Sequence, residues 1–368
     1  MEKWRLLDVD WLTYADTAIF RPVVMRARAE GLVEDTFSMC TFSRPSIALP
    51  FFNDPEKELD LDLCKKKEIP VGRIIGCGGP IFGDPGYMLN MLVLGRDNPK
   101  VPKNQAEMLA KFLTGVARGL SEHFNVECRF RPLNDVEIRC PDGVWRKIGP
   151  SGCMYEQKAI QATSCLQVSK NDTDLIASVI TPAKEKFLDK ETKTIQDRIT
   201  YLEKIVDRPI TWQEMKDIYK QEIEKIFEVE LIPGRLSPKE ELYYEEMRKE
   251  YTSDDYFMER SERRFGVIPK TVSRKQVKFK VTGGPFVRIT TLIKENKIEE
   301  ILLTGSIHAS PLRPTNPVYE IEKALKGQPI DCALFESIIK KVMSSPGFFL
   351  SQLEPDFLAA KIYGCAIQ

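Results

Sequence analysis

Histidine, closely spaced cysteine and long hydrophobic runs are scarce in this chain of 368 residues, and each scarcity excludes a class of protein. The two histidines, His123 and His308, argue against a histidine-based catalytic triad and against a histidine-rich metal centre. The nine cysteines include no Cys-x-x-Cys pair, which argues against a disulfide framework or structural zinc site and favours the cytoplasm. The longest apolar run, around Tyr87–Leu94, is too short to span a bilayer.

Neither sign of charge is in excess. The 54 basic and 54 acidic side chains cancel, so we expect neither nucleic acid nor a membrane to be a partner. The first five residues, MEKWR, lack the apolar core of a signal peptide. The length is sufficient for one large domain and a smaller one.

Residues 134–152 carry the first informative motif, NDVEIRCPDGVWRKIGPSG. The pattern predicts a strand, a Pro-Asp-Gly turn and a second strand that carries Lys147 into a Gly/Ser-rich turn. Such a hairpin would hold the ammonium of Lys147 near the carboxylate of Asp135. The pair suits an adenylate, because the lysine neutralises phosphate charge and the carboxylate can hold Mg²⁺. A hairpin of this kind can also be purely structural.

Residues 72–87 carry the second motif, GRIIGCGGPIFGDPGY. Its glycines would let backbone N–H groups approach a ligand closely, and Arg73 would supply a fixed fork of donors. The stretch is not a P-loop, because no Gly-Lys-[Ser/Thr] is present, and Ile81 replaces the last glycine of a dinucleotide fingerprint. A tight surface turn between two strands is the structural alternative.

Capping patterns and apolar runs outline the remaining elements. Apolar runs at 37–42, 46–52, 73–75 and 88–93 predict strands of one sheet, and the polar stretch 261–275 predicts a linker. The last part of the chain predicts three strands followed by helices near 319–326 and 333–343. Three patterns predict helix starts, at Asn104-x-x-Glu107, Thr211-x-x-Glu214 and Ser237-Pro238-x-Glu240.

The two motifs, in this order, resemble the signatures of lipoate–protein ligases, Arg-Arg-x-Ser-Gly-Gly-Gly-Ala-Val-Phe-His-Asp-x-Gly-Asn and Asn-Asp…Asp-Gly-x-Lys-[IV]-Ser-Gly-Ser. Further similarity at 180–202, 251–256 and 276–343 extends the resemblance over most of the chain. It implies an α+β fold: a biotin/lipoate ligase-like mixed sheet of the seven-stranded type with flanking helices, plus a small C-terminal α+β accessory domain. We expect the catalytic domain at 1–230, a helical segment and linker at 231–275 and the accessory domain at 276–368.

The resemblance also implies a reaction. It is the ATP-dependent ligation of lipoate or a related carboxylic acid, through acyl-AMP, onto a lysine of a small lipoyl-carrier protein domain, with ATP and Mg²⁺ required. Lys147 and Asp135 would be catalytic, and Asp135 would hold the metal. The remaining residues expected to contact substrate or nucleotide are Arg73, Gly76, Cys77, Gly78, Gly79, Pro80, Ile81, Phe82, Asp84, Asn134 and Ser151.

The chain departs from the family pattern at residues that would contact the ligand. Cys77 replaces the first loop glycine, Gly83 replaces a histidine and Tyr87 replaces an asparagine. A lost imidazole at position 83 would open space, while Tyr87 would fill another part of the pocket. We therefore expect an acid preference different from that of an ordinary lipoate ligase.

Two other functions remain open. Octanoyltransferases share the fold and hold the acyl group as a thioester, and Cys77, Cys153 and Cys165 lie in or beside the motifs. Alternatively, a degenerate, non-catalytic ligase could bind a carrier protein as a subunit, which the lost histidine and asparagine would suit. The accessory module favours the ligase.

Overall fold

The computed structural model describes residues 1–132, 134–155, 158–181 and 199–368. The described strands are β1 (Glu2–Leu12), β2 (Thr36–Phe42), β3 (Ser46–Pro50), β4 (Val71–Ile74), β5 (Ile81–Gly83), β6 (Tyr87–Gly95), β7 (Cys128–Arg131), β8 (Asp135–Arg139), β9 (Trp145–Tyr155), β10 (Ala159–Gln167), β11 (Val229–Pro233), β12 (Ser273–Lys280), β13 (Phe286–Lys294), β14 (Lys297–Gly305), β15 (Ala309–Ser310) and β16 (Phe349–Leu350).

The described α-helices are α1 (Thr17–Ala29), α2 (Pro55–Glu58), α3 (Leu61–Lys66), α4 (Gln105–Phe124), α5 (Thr173–Val179), α6 (Leu202–Val206), α7 (Trp212–Phe227), α8 (Pro238–Tyr251), α9 (Asp254–Met258), α10 (Pro317–Leu325), α11 (Cys332–Met343) and α12 (Pro355–Ile367). Within this described part of the chain, no helix combines the length and the apolar character needed to cross a membrane.

Eight strands form the main sheet, in the order β11-β1-β2-β6-β10-β9-β8-β7. The pairs β1–β11 and β1–β2 are parallel, and the other pairs are antiparallel, so the sheet is mixed. The resemblance implied a sheet of the seven-stranded type, and the described residues form one of eight strands. Helices α4 and α7 cover one face around Phe112 and Tyr219, and α1 covers the other around Phe20.

Strands β3, β4 and β5 form a separate three-stranded sheet, which corrects the prediction that 46–52 and 73–75 belong to one sheet with 37–42 and 88–93. The physical reason is that β3 is buried on both sides. Ala48 contacts the core under α1, whereas Ile47 and Leu49 pack with α3 and α5. A strand buried on both faces carries no alternation that would indicate which sheet it joins.

The C-terminal module contains a β12-β13-β14 meander covered by α10, α11 and α12. A two-residue turn at Glu295 and Asn296 joins β13 to β14, and both residues have the positive φ that such a hairpin turn requires, 49° and 58°. Sequence analysis missed α12. Segment 261–275 is partly structured rather than a free linker, because Ser261 is buried and β12 already begins at Ser273.

The core of this module extends into the N-terminal part of the chain. Phe51, Phe52 and Ile75 are buried in the same cluster as Leu303 and Ile339. The backbone N–H of Gly305 also donates to the carbonyl of Phe52, 2.9 Å away. The glycine-rich motif is thus built against the C-terminal module.

Candidate functional site

The hairpin predicted at 134–152 is present as β8 and β9. Its turn closes where the N–H of Cys140 donates to the carbonyl of Val144 at 2.9 Å, and Gly143 supplies a φ of 79°. A β-bulge lies between Val136 and Glu137, so Lys147 stands opposite Glu137 and Asp135 stands opposite Pro150. Lys147 and Asp135 are therefore diagonal neighbours on one face of the sheet.

Lys147 Nζ donates a hydrogen bond to Asp135 Oδ1. The two side chains are 26 % and 22 % exposed, so the pair is open to solvent on one side. Ion pairs with this exposure contribute about 0–1 kcal/mol to stability. The structure thus brings together the two residues predicted as catalytic, in a place where the fold does not depend on them.

Asn134 and Ser151 connect the ends of the same two strands. Asn134 Nδ2 donates to the carbonyl of Ser151 at 2.8 Å. Ser151 is 8 % exposed, and its hydroxyl has no partner in the described part of the chain. A buried hydroxyl without a partner is available to a ligand. Both residues lie on the hairpin that carries the Lys147–Asp135 pair, and their contact with a ligand stays a prediction.

The glycine-rich turn is held by its carbonyl groups. Gly76 accepts from the N–H of Phe51 at 3.0 Å, and Gly78 accepts from Asn53 Nδ2 at 2.8 Å. Among the described residues, the N–H groups of 77–79 donate to no protein acceptor. Gly78 has a φ of 101° and open space where a Cβ would lie. Gly79 and Pro80 complete this turn, which leaves backbone donors free for an anion.

Cys77 points away from those donors. Its Sγ lies 3.6 Å from the carbonyl oxygen of Ala309 in the C-terminal module, and burial raises the pKa of the thiol to about 11. The predicted ligand contact at position 77 stays a prediction.

Arg73 occupies a structural position. It is fully buried, and its guanidinium donates to the carbonyl groups of Phe51, Asn53, Tyr256 and Phe257 over 2.5–3.1 Å. Burial lowers its pKa to about 10. In this structure the predicted fork of donors joins the glycine-rich motif to α9, and a contact with ligand stays a prediction.

Ile81, Phe82 and Asp84 do not share one pocket wall. Ile81 packs against the apolar cluster under α1, whereas Phe82 lies in the core formed with α3 and α5, because successive residues of β5 point to opposite faces. Asp84 accepts from the N–H of Gly86 at 2.9 Å and from Gln167 Nε2 at 3.2 Å. Burial raises the pKa of this carboxyl, which holds the turn before β6.

The space expected at position 83 is occupied, which corrects the prediction of an enlarged pocket there. Gly83 is buried, and a Cβ on it would lie 2.8 Å from Cδ2 of Tyr14. The Tyr14 ring centroid is 5.6 Å from that of Tyr87, and both rings are buried. Sequence analysis missed Tyr14, because the only signal was the small residue at position 83.

Among the three cysteines considered, Cys165 is the one on which the charge of Lys147 acts. It is buried, with its Sγ 3.6 Å from Tyr14 Oη, and Arg21 Nη2 donates to that hydroxyl at 3.2 Å. Burial raises the thiol pKa, while the charges of Arg21 and Lys147 act to lower it. Burial also raises the pKa of Cys153. All three thiols are thus protonated near neutral pH in this conformation.

Comparison with known proteins adds independent information. Residues 14–224 match the model of the lipoyl protein ligase A/B catalytic domain. Octanoyltransferase LipM of Geobacillus kaustophilus is 21% identical over 278 residues, covering 70% of this chain and 99% of the relative. Lipoate-protein ligase A subunit 1 of Thermoplasma acidophilum is 23% identical over 220 residues, covering 58% of this chain and 80% of the relative.

Two solved structures share the fold. A bi-partite lipoate protein ligase of T. acidophilum, studied with its E2 lipoyl domain, superposes with a TM-score of 0.59 at 21% identity, covering 70% of this chain and 97% of that one. LipL1 of P. falciparum, solved in complex with lipoate, superposes with a TM-score of 0.70 at 15% identity. The second match covers 98% of this chain and 99% of that chain, so it includes the C-terminal module.

Proposed function

Because its residues 14–224 place the chain in the family of lipoyl protein ligase A/B catalytic domains, we propose that it activates lipoate or a related carboxylic acid with ATP. A carboxylate oxygen of the acid attacks the α-phosphorus, and the bond to pyrophosphate breaks to leave acyl-AMP. The ε-amine of a lysine on a small carrier domain then attacks the acyl carbonyl, loses its proton and displaces AMP.

The observation that carries this proposal is the partly exposed Lys147–Asp135 pair on a stiff hairpin. Charge develops on the phosphate oxygens as the acid attacks, and a fixed ammonium there stabilises the transition state more than the ground state. The backbone of Lys147 stands opposite that of Glu137 in the β8–β9 register, and the Lys147 carbonyl accepts from the N–H of Thr200 at 3.0 Å. The backbone of the lysine is therefore fixed on two sides.

The residues present also fit the nucleotide and its metal. The N–H groups of 77–79, which have no partners in the described part of the chain, can donate hydrogen bonds to phosphate oxygens. Asp135 would hold Mg²⁺. In the described ranges no three His, Cys, Asp or Glu side chains converge on one point, so its other ligands would be phosphate and water oxygens. Mg²⁺ commonly binds nucleotides through one or two carboxylates in this way.

A direct test incubates the chain with ATP, Mg²⁺ and a panel of carboxylic acids, followed by mass spectrometry for acyl-AMP. Lys147→Ala should lower adenylate formation by about 10²-fold or more, because it removes the charge opposite the α-phosphate. The free energy of unfolding in urea should change by less than about 1 kcal/mol, because the pair is partly exposed. Acyl-AMP formation by the variant at near wild-type rate would remove Lys147 from the reaction.

Acyl transfer through a cysteine is the second candidate, and one structural observation favours it. The Tyr14 hydroxyl lies between Cys165 Sγ and Arg21 Nη2, and the charges of Arg21 and Lys147 both act to lower the pKa of the thiol, while curated relatives are octanoyltransferases. The burial of Cys165 opposes it. Incubation with an octanoyl-carrier thioester and no ATP decides between the two. A trapped octanoyl thioester that disappears in Cys165→Ser would support the transferase.

A non-catalytic, carrier-binding subunit is the third outcome of the same experiments. It would form neither acyl-AMP nor a protein thioester. It would also show no thermal stabilisation by ATP and Mg²⁺, whereas a ligand present at 100 times its Kd stabilises the folded state by about 2.7 kcal/mol.

A further inference from the structure

The solvent-facing side of β7, β8 and β9 carries further charged residues besides the Lys147–Asp135 pair. Arg129, Glu137 and Lys147 stand directly opposite one another on the three strands. Arg131 and Asp135 form the next opposed pair on the same face. The other face carries Val136, Ile138, Ile148 and their apolar neighbours, which lie in the core under α4. The charged residues therefore form one continuous row beside the proposed catalytic lysine.

Glu137 is the centre of this row. Its carboxylate is only 4 % exposed and accepts from Arg129 Nε and Nη2 at 2.9 and 2.7 Å, and from Arg131 Nη1 at 2.8 Å. The two arginine side chains are 46 % and 63 % exposed. One carboxylate thus holds two solvent-facing guanidinium groups, and the three residues together carry a net charge of +1.

Arg129 is fixed from a second side. Its guanidinium carbon lies 4.1 Å from the ring centroid of Trp145, on the strand that carries Lys147. An arginine held by a carboxylate and an aromatic ring has lost most of its rotamer freedom before any ligand binds. Guanidinium groups bind phosphates through paired N–H donors, so this geometry suits a phosphate ligand better than a mobile lysine would.

We propose that Arg129 and Arg131 form the subsite for the pyrophosphate that leaves ATP during adenylate formation. The inference rests on the proposed function, in which Lys147 faces the α-phosphate. Neighbouring strands are about 4.8 Å apart, so β7 lies about 10 Å from β9, and a triphosphate extended from Lys147 across β8 would reach the two arginines. Bound there, the β- and γ-phosphates meet two cations, and the charge gained by pyrophosphate as the bond breaks is stabilised.

Calorimetric titration of the full chain with inorganic pyrophosphate and, separately, with AMP tests the subsite, each with and without Mg²⁺. The main variant combines Arg129→Gln, Arg131→Gln and Glu137→Gln, which leaves no unpaired buried carboxylate. Arg139→Gln is the matched control, because Arg139 lies on the same face of β8 and pairs only with the exposed Glu127 among described residues. Pyrophosphate affinity should fall about tenfold or more in the triple variant. AMP affinity should stay within about twofold in both variants.

Equal pyrophosphate affinity in wild type and triple variant, or no pyrophosphate binding by wild type at millimolar concentration, overturns the subsite. Acyl-AMP formation is read in a separate assay, so the proposed function can stand or fall independently. If circular dichroism shows that the triple variant is unfolded, the double variant Arg129→Lys, Arg131→Lys replaces it. That variant keeps both charges beside Glu137 but lacks the planar fork, and unchanged pyrophosphate affinity in it also contradicts the proposal.

Discussion

Gly149 determines how closely β9 approaches β10, two residues after Lys147. A Cβ at this position would overlap the carbonyl oxygen of Cys165, and the backbone of a neighbouring strand cannot move aside as a side chain can. The proposed position of Lys147 therefore depends on a residue with no chemistry of its own.

We expect Gly149→Ala to destabilise the protein by about 2–3 kcal/mol or more, because the added methyl separates β9 from β10. Gly152→Ala is the matched control on the same strand, since its Cβ would lie 3.5 Å from Thr163 Oγ1, an ordinary contact. Urea unfolding of both variants measures the difference. Equal stability would show that the two strands are further apart than the structure has them.

At the scale of the element, Glu240 both caps helix α8 and binds the helix to β1. Ser237 Oγ accepts from the N–H of Glu240 at 3.3 Å, and the Glu240 carboxylate accepts from the N–H of Ser237 at 2.7 Å. The same carboxylate forms a buried ion pair with Arg5 of β1, at 2.6 Å. Arg5 accordingly lowers the pKa of Glu240 against the effect of burial, which alone would raise it.

Ser237→Ala should lower the free energy of unfolding by about 1 kcal/mol, because it removes the cap on the N–H of Glu240 and the hydroxyl's hydrogen bond to the Glu240 carboxylate. Glu240→Ala should lower the free energy of unfolding by about 3–5 kcal/mol, because it also leaves the buried Arg5 without its carboxylate partner. Thermal and urea unfolding of the two variants compare these effects. Similar losses would mean that the Arg5 ion pair contributes nothing beyond the cap.

Sequence signals predicted elements better than they predicted which elements meet. The caps at Asn104, Thr211 and Ser237 are confirmed, since a cap involves residues three apart in the chain. The Lys147–Asp135 pair could be predicted because one hairpin carries both residues. The contacts of Arg73 could not, since its partners in α9 lie about 180 residues away and local sequence carries no record of them.

Across the whole molecule, a buried carboxyl lies where the N-terminal part of the chain meets the C-terminal module. Asp54 is 1 % exposed, and one of its oxygens has no hydrogen-bond partner among the described residues. Burial raises its pKa from 3.8 to about 6, while Arg288 and Lys57 act to lower it and Glu262 to raise it. The folded state therefore holds this proton more tightly than the unfolded state does.

A carboxyl whose pKa is raised in the folded state stabilises the fold at low pH. This stabilisation is lost as the pH rises through the pKa that the group has in the folded state. Between about pH 4 and pH 6 the free energy of unfolding of the wild type should thus fall by up to about 3 kcal/mol relative to that of Asp54→Asn. The amide keeps the cap on α2, in which the N–H of Glu56 donates to Asp54 Oδ1 at 3.0 Å. Urea unfolding of both proteins at pH 4, 5, 6 and 7 measures the difference, and parallel pH profiles would contradict the assignment.

Phe51 and Phe52 are buried in the core of the C-terminal module, so they should hold the two parts of the chain together even after the backbone between them is cut. The exposed loop at 266–271, where Val267 is 95 % exposed, is open to a protease. Cleavage there would not release the C-terminal fragment, because Phe51 and Phe52 would lose their apolar surroundings on separation. The nicked protein would migrate as a noncovalent pair of its own fragments, and only a denaturant would resolve them into two.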